Sequence, residues 1–293
     1  MKKPDGSSLG PSGPQWWFEE GIPSTIRHGL KMALLHTERT PFQQMEIYEH
    51  DVLGRVLVLD GIVQTTQGDE YVYHEMLTHV PLLGCRTAKD PNRRISVLII
   101  GGGDGGILRE VLRHDWVERA VMVEIDEAVV RAAAEYLQIN GDYEDPRVQL
   151  VIGDGSAYVK SAEVRQCPFD AILVDSPDPV GPGLKLFSDK FCRDLAACLS
   201  PAGVVVRQSG VAAYQSDVLQ LAARQMCQVF GDVEVYRAAV PTYIGGDMAF
   251  TLATKDNHSC ARSNRPFEGR YYNSDVHAAA FALPSDWRKH LSS

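Results

Sequence analysis

Acidic residues end several apolar runs of the chain, and their placement suits the binding of a cation. Asp104 lies in the glycine-rich stretch "IIGGGDGGILREV", Glu124 ends "AVMVE", Asp154 follows "VQLVIG", and Asp175 ends "FDAILVD". The carboxyl ends of parallel strands meet at one rim of an open sheet, where α/β proteins bind ligands. Carboxylates gathered there would attract a cation, accept hydrogen bonds from ribose hydroxyls or an adenine amine, and offer a proton acceptor.

The glycine-rich stretch is typical of a nucleotide-binding turn. Gly101, Gly103 and Gly106 fit the pattern G-x-G-x-x-G after a strand, and Glu124 ends the next strand, where a carboxylate commonly accepts ribose hydroxyls. Dinucleotide oxidoreductases and enzymes that use S-adenosyl sulfonium compounds share this pattern, and a turn that serves only strand–helix packing is the alternative. Asp104 would repel a pyrophosphate and attract a cation, so the turn favours a cationic nucleoside.

A second acidic cluster lies in "ILVDSPDPVGP", where prolines restrict the backbone. Asp175 and Asp178 in this segment form either a rigid cation trap or an acid–base pair. A Mg²⁺ or Ca²⁺ site is the rival interpretation, and a proline-rich connector with capping aspartates is the simplest one. Because the loop offers no further acidic ligand, we favour an amine over a metal and expect no metal site.

The elements that would position these residues form two regions. Short β-type runs such as "QQMEIYEH", "RVLVLDG" and "IVQTT" precede a helix in "DEYVYHEMLTHVPLL", and strands and helices alternate from Ile95 onward. The last two strands are joined by a loop too short for a crossover, so they should be antiparallel. We predict a flexible tail over residues 1–15, a β-rich domain with a linking helix over 16–90, and a doubly wound, mostly parallel Rossmann-like catalytic domain over 91–293.

Composition narrows the class of partner. The net charge of −9 argues against nucleic acid or an anionic membrane as a partner. The chain shows no apolar run of membrane-span length and no apolar signal core, and its scattered cysteines without a C-x-x-C pair are typical of reduced thiols. The histidines are dispersed, which disfavours zinc. These features together predict a cytoplasmic protein.

Six segments together resemble the polyamine aminopropyltransferases, most closely the spermidine synthases. They are "LDGIVQTTQGDEYVYHEMLTHVPL", "LIIGGGDGGILREV", "MVEID", "DSPDPVGP", "VPTYIGG" and "RYYNSDVHAAAFALP", and the resemblance runs from about residue 16 to residue 287. It implies transfer of the aminopropyl group of decarboxylated S-adenosylmethionine to putrescine, giving spermidine and 5′-methylthioadenosine. The donor is a co-substrate, with no tightly bound cofactor. The resemblance also implies a methyltransferase-like Rossmann domain behind a small β-domain, assembled as a homodimer or homotetramer.

The resemblance also implies roles for individual residues. Asp175 is the proton acceptor, and Asp104, Asp178 and His74 face the amine. From the residues alone, His74 on its helix would be an ordinary partly buried histidine. The residues that surround the thioadenosine would be Gln43, Gly101, Gly103, Glu124, Asp154, Gly155 and Pro182. The residues that complete the pocket would be Gln64, Tyr73 and Tyr243.

One position departs from the family pattern and leaves the acceptor open. Pro177 stands where the family usually has Ser or Thr, which removes a hydroxyl and a backbone donor. Cadaverine, agmatine or a triamine are therefore alternative acceptors. A methyltransferase using intact S-adenosylmethionine is a further alternative, although Asp104 would repel the carboxylate of that compound. A noncatalytic polyamine-binding protein is the third.

Overall fold

Two β-sheets organise the chain in the computed structural model, which describes residues 15–20, 26–176 and 181–291. The tail predicted over residues 1–15 lies outside the described residues except for Gln15, and so does the loop segment 177–180 with Pro177 and Asp178. The predicted fold class is confirmed, since the second sheet is mostly parallel and carries helices on both faces.

The N-terminal sheet is an antiparallel meander with the order β1-β2-β3-β4-β5. Its β4–β5 connection is the two-residue turn Asp60-Gly61, where both residues have positive φ, as a tight hairpin of this kind requires. Alternating side chains of β3, Met45 and Ile47, are buried against the helix that follows the second strand of the larger sheet. The strands are β1 (Gln15–Glu20), β2 (His28–Arg39), β3 (Gln44–His50), β4 (Gly54–Leu59) and β5 (Ile62–Thr66).

The larger sheet has seven strands in the order β11-β12-β10-β9-β6-β7-β8. Strands β6 to β10 are mutually parallel, and β12 runs antiparallel to both β10 and β11, as the short final loop predicts. The strands are β6 (Ile95–Gly101), β7 (Val117–Glu124), β8 (Val148–Ile152), β9 (Phe169–Asp175), β10 (Leu199–Val211), β11 (Glu234–Ala239) and β12 (Asp247–Thr254).

Helices cover both faces of this sheet, which explains its continuous apolar strands. Val97 and Ile99 of β6 join the core on the side of α1 and α2, while Leu98 and Ile100 join the core on the side of α6 and α7. The helices are α1 (Glu70–Gly84), α2 (Gly106–Leu112), α3 (Glu127–Ala132, continued by a π-turn at Ala133–Leu137), α4 (Gly155–Tyr158), α5 (Ala162–Gln166), α6 (Asp189–Cys198), α7 (Ser216–Phe230), α8 (Ser274–Ala280) and α9 (Ser285–Leu291), with 3₁₀ turns at Arg86–Lys89 and Gly181–Leu186.

A polar junction ties the two sheets together at the start of α3. Asp126 caps this helix by accepting the Ala128 N–H, and its other oxygen accepts the Thr40 hydroxyl at 2.7 Å and the Gln43 amide at 3.0 Å. The β2–β3 connection is thereby held against the carboxyl end of β7. Among the described helices, none combines the length and apolar character needed to cross a membrane.

Candidate active site

A cavity of about 480 Å³ opens between the two sheets, at the carboxyl ends of the parallel strands. Leu57, Leu59, Ile62 and Val63 of β4 and β5 give it an apolar wall, and polar groups of the larger sheet and of α1 face them. A cavity of this size and character is typical of a small-molecule site. Nine of the residues predicted from the sequence line it: Gln43, Gln64, Tyr73, His74, Gly103, Asp104, Glu124, Asp175 and Tyr243.

The glycine turn brings Asp175 beside Asp104. Gly101 pairs with Asp175 across β6 and β9, and a Cβ on Gly101 would lie 1.8 Å from the Asp175 carbonyl oxygen. The φ of +82° at Gly101 also belongs to the region that favours glycine. Only a residue without a side chain therefore allows β6 to turn away at this level, which leaves the ends of both strands open to the cavity.

Asp175 is a partly buried carboxylate with a phenol as its partner. Its Oδ1 accepts the Tyr73 hydroxyl at 2.5 Å. Burial and the nearby carboxylate of Asp104 raise the pKa of Asp175 to about 6. Asp175 is therefore mostly ionised at neutral pH, yet it binds a proton more readily than an ordinary aspartate.

Asp104 lies in a buried ion pair rather than free in the turn. Its Oδ1 accepts the Gly106 N–H at 2.9 Å, and its Oδ2 lies 3.1 Å from His74 Nε2. The other ring nitrogen of His74, Nδ1, lies 2.5 Å from Glu70 Oε2. Burial by itself would lower the pKa of His74, but the carboxylates of Asp104 and Glu70 outweigh it and raise that pKa to about 10. Although burial opposes the change, the same imidazolium lowers the pKa of Asp104.

Glu124 and Gln43 form the opposite end of the cavity. Glu124 Oε1 accepts the Asp126 N–H at 2.9 Å, and its Oε2 stands against Gly103, where a Cβ would approach it to 2.9 Å. Burial raises the pKa of Glu124 to about 7. Because the Gln43 amide donates to Asp126, the orientation of the Gln43 side chain is fixed. This end therefore offers carboxylate and amide oxygens to a nucleoside.

Other predicted residues lie away from the cavity lining, and their ligand roles stay predictions. Asp154 caps α4, accepting the Ser156 N–H at 2.8 Å, and pairs with Lys185 Nζ at 3.1 Å. Gly101 and Gly155 support the turn and α4 rather than the described lining. Pro182 belongs to the 3₁₀ turn Gly181–Leu186, and Asp178 lies outside the described residues.

Two tyrosines and a glutamine form one side of the cavity. The Tyr243 hydroxyl donates to the Gln64 carbonyl at 2.7 Å, and the Gln64 amide donates to the Ile62 carbonyl at 3.1 Å. The Tyr73 and Tyr243 rings meet edge to face with their centroids 6.0 Å apart. These aromatic faces suit the methylene groups and cationic ends of an alkylamine.

Two glutamines that line the cavity, one in β10 and one in the loop after it, were not predicted from the sequence. Gln208 donates to the Ser176 carbonyl at 2.7 Å, next to Asp175, and Gln215 accepts the Val211 N–H at 2.7 Å. Gln208 comes directly after Arg207, the last residue of β10 that pairs with the parallel strand β9, so the rule that singled out the acidic residues could have found it. The apolar wall from β4 and β5 has no such signal, because it arises where two sheets meet.

The fold and the cavity define a class of protein: a Rossmann-type enzyme whose cavity, at the carboxyl ends of the parallel strands, is lined by several carboxylates. No cluster suited to a metal ion occurs among the described residues. Family models of the spermidine synthase tetramerisation domain and of the spermine/spermidine synthase domain match residues 16–67 and 70–264. The chain belongs to the spermine/spermidine synthase family and is an aminopropyltransferase of polyamine metabolism, as the sequence motifs predict.

Relatives and solved structures agree with this membership. The polyamine aminopropyltransferase of Serratia proteamaculans is 45% identical over 281 residues, covering 92% of this chain and 94% of that protein. The polyamine aminopropyltransferase 1 of Pseudomonas aeruginosa is 45% identical, covering 86% and 88%. The spermidine synthase from Thermotoga maritima superimposes with a TM-score of 0.86 at 36% identity, and a spermidine synthase in complex with the transition-state analogue AdoDATO with a TM-score of 0.87 at 36% identity; each match covers 98% of both chains.

Proposed function

We propose that this enzyme transfers the aminopropyl group of decarboxylated S-adenosylmethionine to putrescine, forming spermidine and releasing 5′-methylthioadenosine. The observation that carries the proposal is the Asp175 carboxylate, hydrogen-bonded to Tyr73 and adjacent to Asp104, at the end of a cavity with nucleoside-binding groups at its other end. A related spermidine synthase has been solved with the analogue AdoDATO, which supports the same donor for this chain.

The donor nucleoside would occupy the end of the cavity that contains Glu124 and Gln43. The Glu124 carboxylate can accept the ribose hydroxyls, and Gln43 is fixed by Asp126. The aminopropyl arm would then extend toward Asp104, whose carboxylate suits the ammonium group that ends the arm. Intact S-adenosylmethionine would bring a carboxylate to the same place, which favours the decarboxylated donor.

The reaction requires the acceptor amine to lose a proton as it attacks. The amine nitrogen forms a bond to the carbon beside the sulfonium, the carbon–sulfur bond breaks with its electron pair on sulfur, and the proton passes to Asp175. The pKa of an alkylammonium is near 10.4, so transfer of its proton to an ordinary aspartate costs about 9 kcal/mol. Because the pKa of Asp175 is raised to about 6, the cost of this proton transfer falls to roughly 6 kcal/mol, and the neighbouring sulfonium lowers the cost further. Asp175 therefore orients the amine and takes its proton late in the step.

We assign the contacts with putrescine to the aromatic and amide groups near Asp175. Tyr73, Tyr243, Gln64 and Gln208 border this end of the cavity. His74 has both ring nitrogens within hydrogen-bond distance of carboxylates, so neither is left for the amine. We therefore propose that His74 acts on the substrate through Asp104 rather than by direct contact, while Asp178 keeps its predicted role toward the amine.

We also propose a homo-oligomeric, cytoplasmic enzyme. The N-terminal sheet supports assembly, because residues 16–67 match a model of a spermidine synthase tetramerisation domain, and a tetramer is preferred over a dimer on that ground. The division into a β-rich domain at 16–90 and a catalytic domain at 91–293 is part of the same proposal. Light scattering of the purified protein tests the proposed oligomeric state by giving the number of subunits.

A turnover panel tests the proposed reaction. The protein is incubated with decarboxylated or intact S-adenosylmethionine and with putrescine, cadaverine, agmatine or spermidine, and methylthioadenosine and S-adenosylhomocysteine are measured. Methylthioadenosine formed fastest from the decarboxylated donor with putrescine supports the proposal. Preference for another amine would overturn the acceptor alone, whereas S-adenosylhomocysteine as the main product, or no turnover with any pair, would overturn the transfer chemistry.

A further inference from the structure

We propose that Glu70, clamped by Arg109, is a positioning residue that holds the His74 imidazolium against Asp104 and thereby sets how readily Asp175 takes up a proton. The inference deepens the proposed function and rests on it, since it assigns Asp175 as the proton acceptor. Glu70 itself lies one helical turn from His74 on α1 and does not line the cavity.

The protonation state of His74 follows from its two neighbours. Nδ1 lies 2.5 Å from Glu70 Oε2 and Nε2 lies 3.1 Å from Asp104 Oδ2. A neutral ring carries a proton on one nitrogen only and would aim a lone pair at one of these oxygens. Because both oxygens are acceptors when the carboxyls are ionised, the geometry requires a ring with both nitrogens protonated. His74 is therefore an imidazolium enclosed by two carboxylates.

The carboxylates are kept ionised by their own donors. Glu70 receives a bidentate contact from Arg109, with Nη1 at 3.1 Å from Oε1 and Nη2 at 2.8 Å from Oε2. Asp104 accepts the Gly106 N–H. Arg109 is fixed in turn by Glu110 Oε1 at 2.8 Å and by the Ile139 carbonyl at 2.7 Å. The proton shared within this cluster consequently stays on the His74 ring.

The packing of α2 leaves the ring no alternative position. Gly106 begins α2 directly over His74, and a Cβ at Gly106 would lie 2.2 Å from His74 Nδ1. His74 is 2% exposed and Glu70 is 7% exposed, so bulk water has little access to either side chain. Asp104, His74, Glu70 and Arg109 thus form a buried row of alternating negative and positive charges.

The cluster changes the electrostatic environment of Asp175. The groups that act on the Asp175 carboxylate among the described residues are Tyr73, which donates a hydrogen bond, and Asp104, His74 and Glu124, which act through their charges. Asp104 disfavours the ionised form of Asp175, and the His74 imidazolium favours it. If Glu70 loses its charge, His74 holds its second proton less tightly, and Asp104 then acts on Asp175 without compensation.

The substitution Glu70→Gln tests the inference because it keeps the size of the side chain and removes its charge. We expect the acidic limb of the kcat/KM profile for methylthioadenosine release to move upward by about one pH unit, which lowers kcat/KM on that limb about tenfold, with a smaller change on the plateau. The matched control is Glu75→Gln on the same helix, whose buried carboxylate accepts the backbone N–H groups of Arg270, Tyr271 and Tyr272, away from the cavity. A limb unmoved in Glu70→Gln, or moved equally in Glu75→Gln, would overturn the inference.

A direct titration of His74 gives a second readout that needs no turnover. In protein labelled with ¹⁵N-histidine, the His74 ring nitrogens of the wild type should keep imidazolium shifts up to at least pH 8, whereas those of Glu70→Gln should titrate at a lower pH. A neutral His74 ring in the wild type at pH 7 would reject the inference. Failure of the proposed function is distinguishable, because it appears as absent methylthioadenosine release in the wild type while the titration can still be read.

Discussion

At the scale of single residues, the cavity holds three carboxylates that differ in acidity because their neighbours differ. Asp104 faces an imidazolium and has a lowered pKa, whereas burial raises the pKa of Asp175 to about 6 and that of Glu124 to about 7. Carboxylates in one site whose environments separate their pKa values commonly divide the tasks of binding and proton transfer. Asp104 is thus suited to hold a cation, and Asp175 to accept a proton.

Asp175→Asn should lower kcat for methylthioadenosine release at least about a hundredfold, because the amide cannot take the proton of the amine. Binding of methylthioadenosine, measured by calorimetry, should change little, since Glu124 and Gln43 lie at the other end of the cavity. Asp142→Asn, at an exposed position, is the control. Near-normal kcat in Asp175→Asn would remove Asp175 from the proposed mechanism.

The same substitution should raise stability. The pKa of Asp175 is raised in the folded protein, so the neutral carboxyl group favours the folded state. This stability is fully present below about pH 4 and is lost as the pH rises through about 6. Asparagine keeps a neutral acceptor for Tyr73, and we expect a gain of about 2 kcal/mol in the free energy of unfolding at pH 7.5, or roughly 3 °C in Tm. Calorimetric scans at pH 7.5 and 4 check this, and a gain that is no larger at pH 7.5 than at pH 4 would contradict it.

Asp104→Asn should reduce discrimination between the two donors. The variant loses the charge that suits the ammonium of the decarboxylated donor and opposes the carboxylate of intact S-adenosylmethionine. We expect the ratio of the two dissociation constants to fall about tenfold or more, measured by competition against methylthioadenosine. Because His74 offsets part of the Asp104 charge, the fall should be smaller than an unpaired carboxylate would give. An unchanged ratio would show that the exclusion has another source.

At the scale of elements, the parallel pairing of β6 with β9, which sets Gly101 against Asp175, determines where Asp175 stands. Much of this level could be predicted, because fully covered parallel strands are read as unbroken apolar runs and their ends define the ligand rim. Strand β2 (His28–Arg39) was missed, since "HGLKMALLHTER" contains no β-branched residue before Thr37 and its Leu, Met and Ala are typical of helices. Pairing with β1 and β3 overrides that preference.

The parts of the candidate site that lie at strand ends could be predicted from the sequence. Contacts between residues that are distant in the sequence could not. The acidic residues follow from their positions along the sequence, but the pairing of Asp104 with His74 depends on how α1 packs on α2. Their sequence separation of 30 residues, between positions 74 and 104, gives no periodic signal. The substrate contact predicted for His74 therefore came from the family resemblance alone.

Gly101→Ala should be strongly destabilising. The new Cβ would meet the Asp175 carbonyl at 1.8 Å and the φ of +82° would be strained, so β6 and β9 must separate. We expect a loss of about 3–5 kcal/mol in the free energy of unfolding, with kcat lowered in the protein that still folds. Gly231→Ala, with φ of +87° and no neighbouring atom within 4 Å, isolates the backbone strain, expected at about 1–2 kcal/mol. Equal losses in the two variants, measured by urea denaturation, would refute the steric argument.

At the scale of the whole molecule, the active site belongs to neither sheet alone. The apolar wall of the cavity comes from β4 and β5, the proposed reacting groups come from the larger sheet and α1, and the Thr40–Asp126–Gln43 junction connects the two sheets. In the proposed complex, Gln43 would meet the nucleoside in a fixed orientation only while this junction holds. Relative placement of the sheets should therefore affect donor binding more than chemistry.

Thr40→Val tests this coupling, because it removes the hydroxyl that donates to Asp126 and keeps the shape of the side chain. We expect the KM for the decarboxylated donor to rise about three- to tenfold with kcat nearly unchanged, and the free energy of unfolding to fall by about 1–2 kcal/mol. Thr37→Val, at an exposed position of β2 three residues before Thr40, is the matched control. A fall in kcat with unchanged KM would place the junction in the chemical step instead.

The charge of the cavity should also disfavour the binding of adenine nucleotides that carry phosphate groups. Among the described residues that line the cavity, none is Lys or Arg, and the His74 ring is enclosed by carboxylates. ATP, ADP and AMP share the adenosine moiety of the proposed donor, but their phosphates would find no Lys or Arg among the described lining residues. Polyamine synthesis could consequently proceed at a rate that does not follow the adenylate pool.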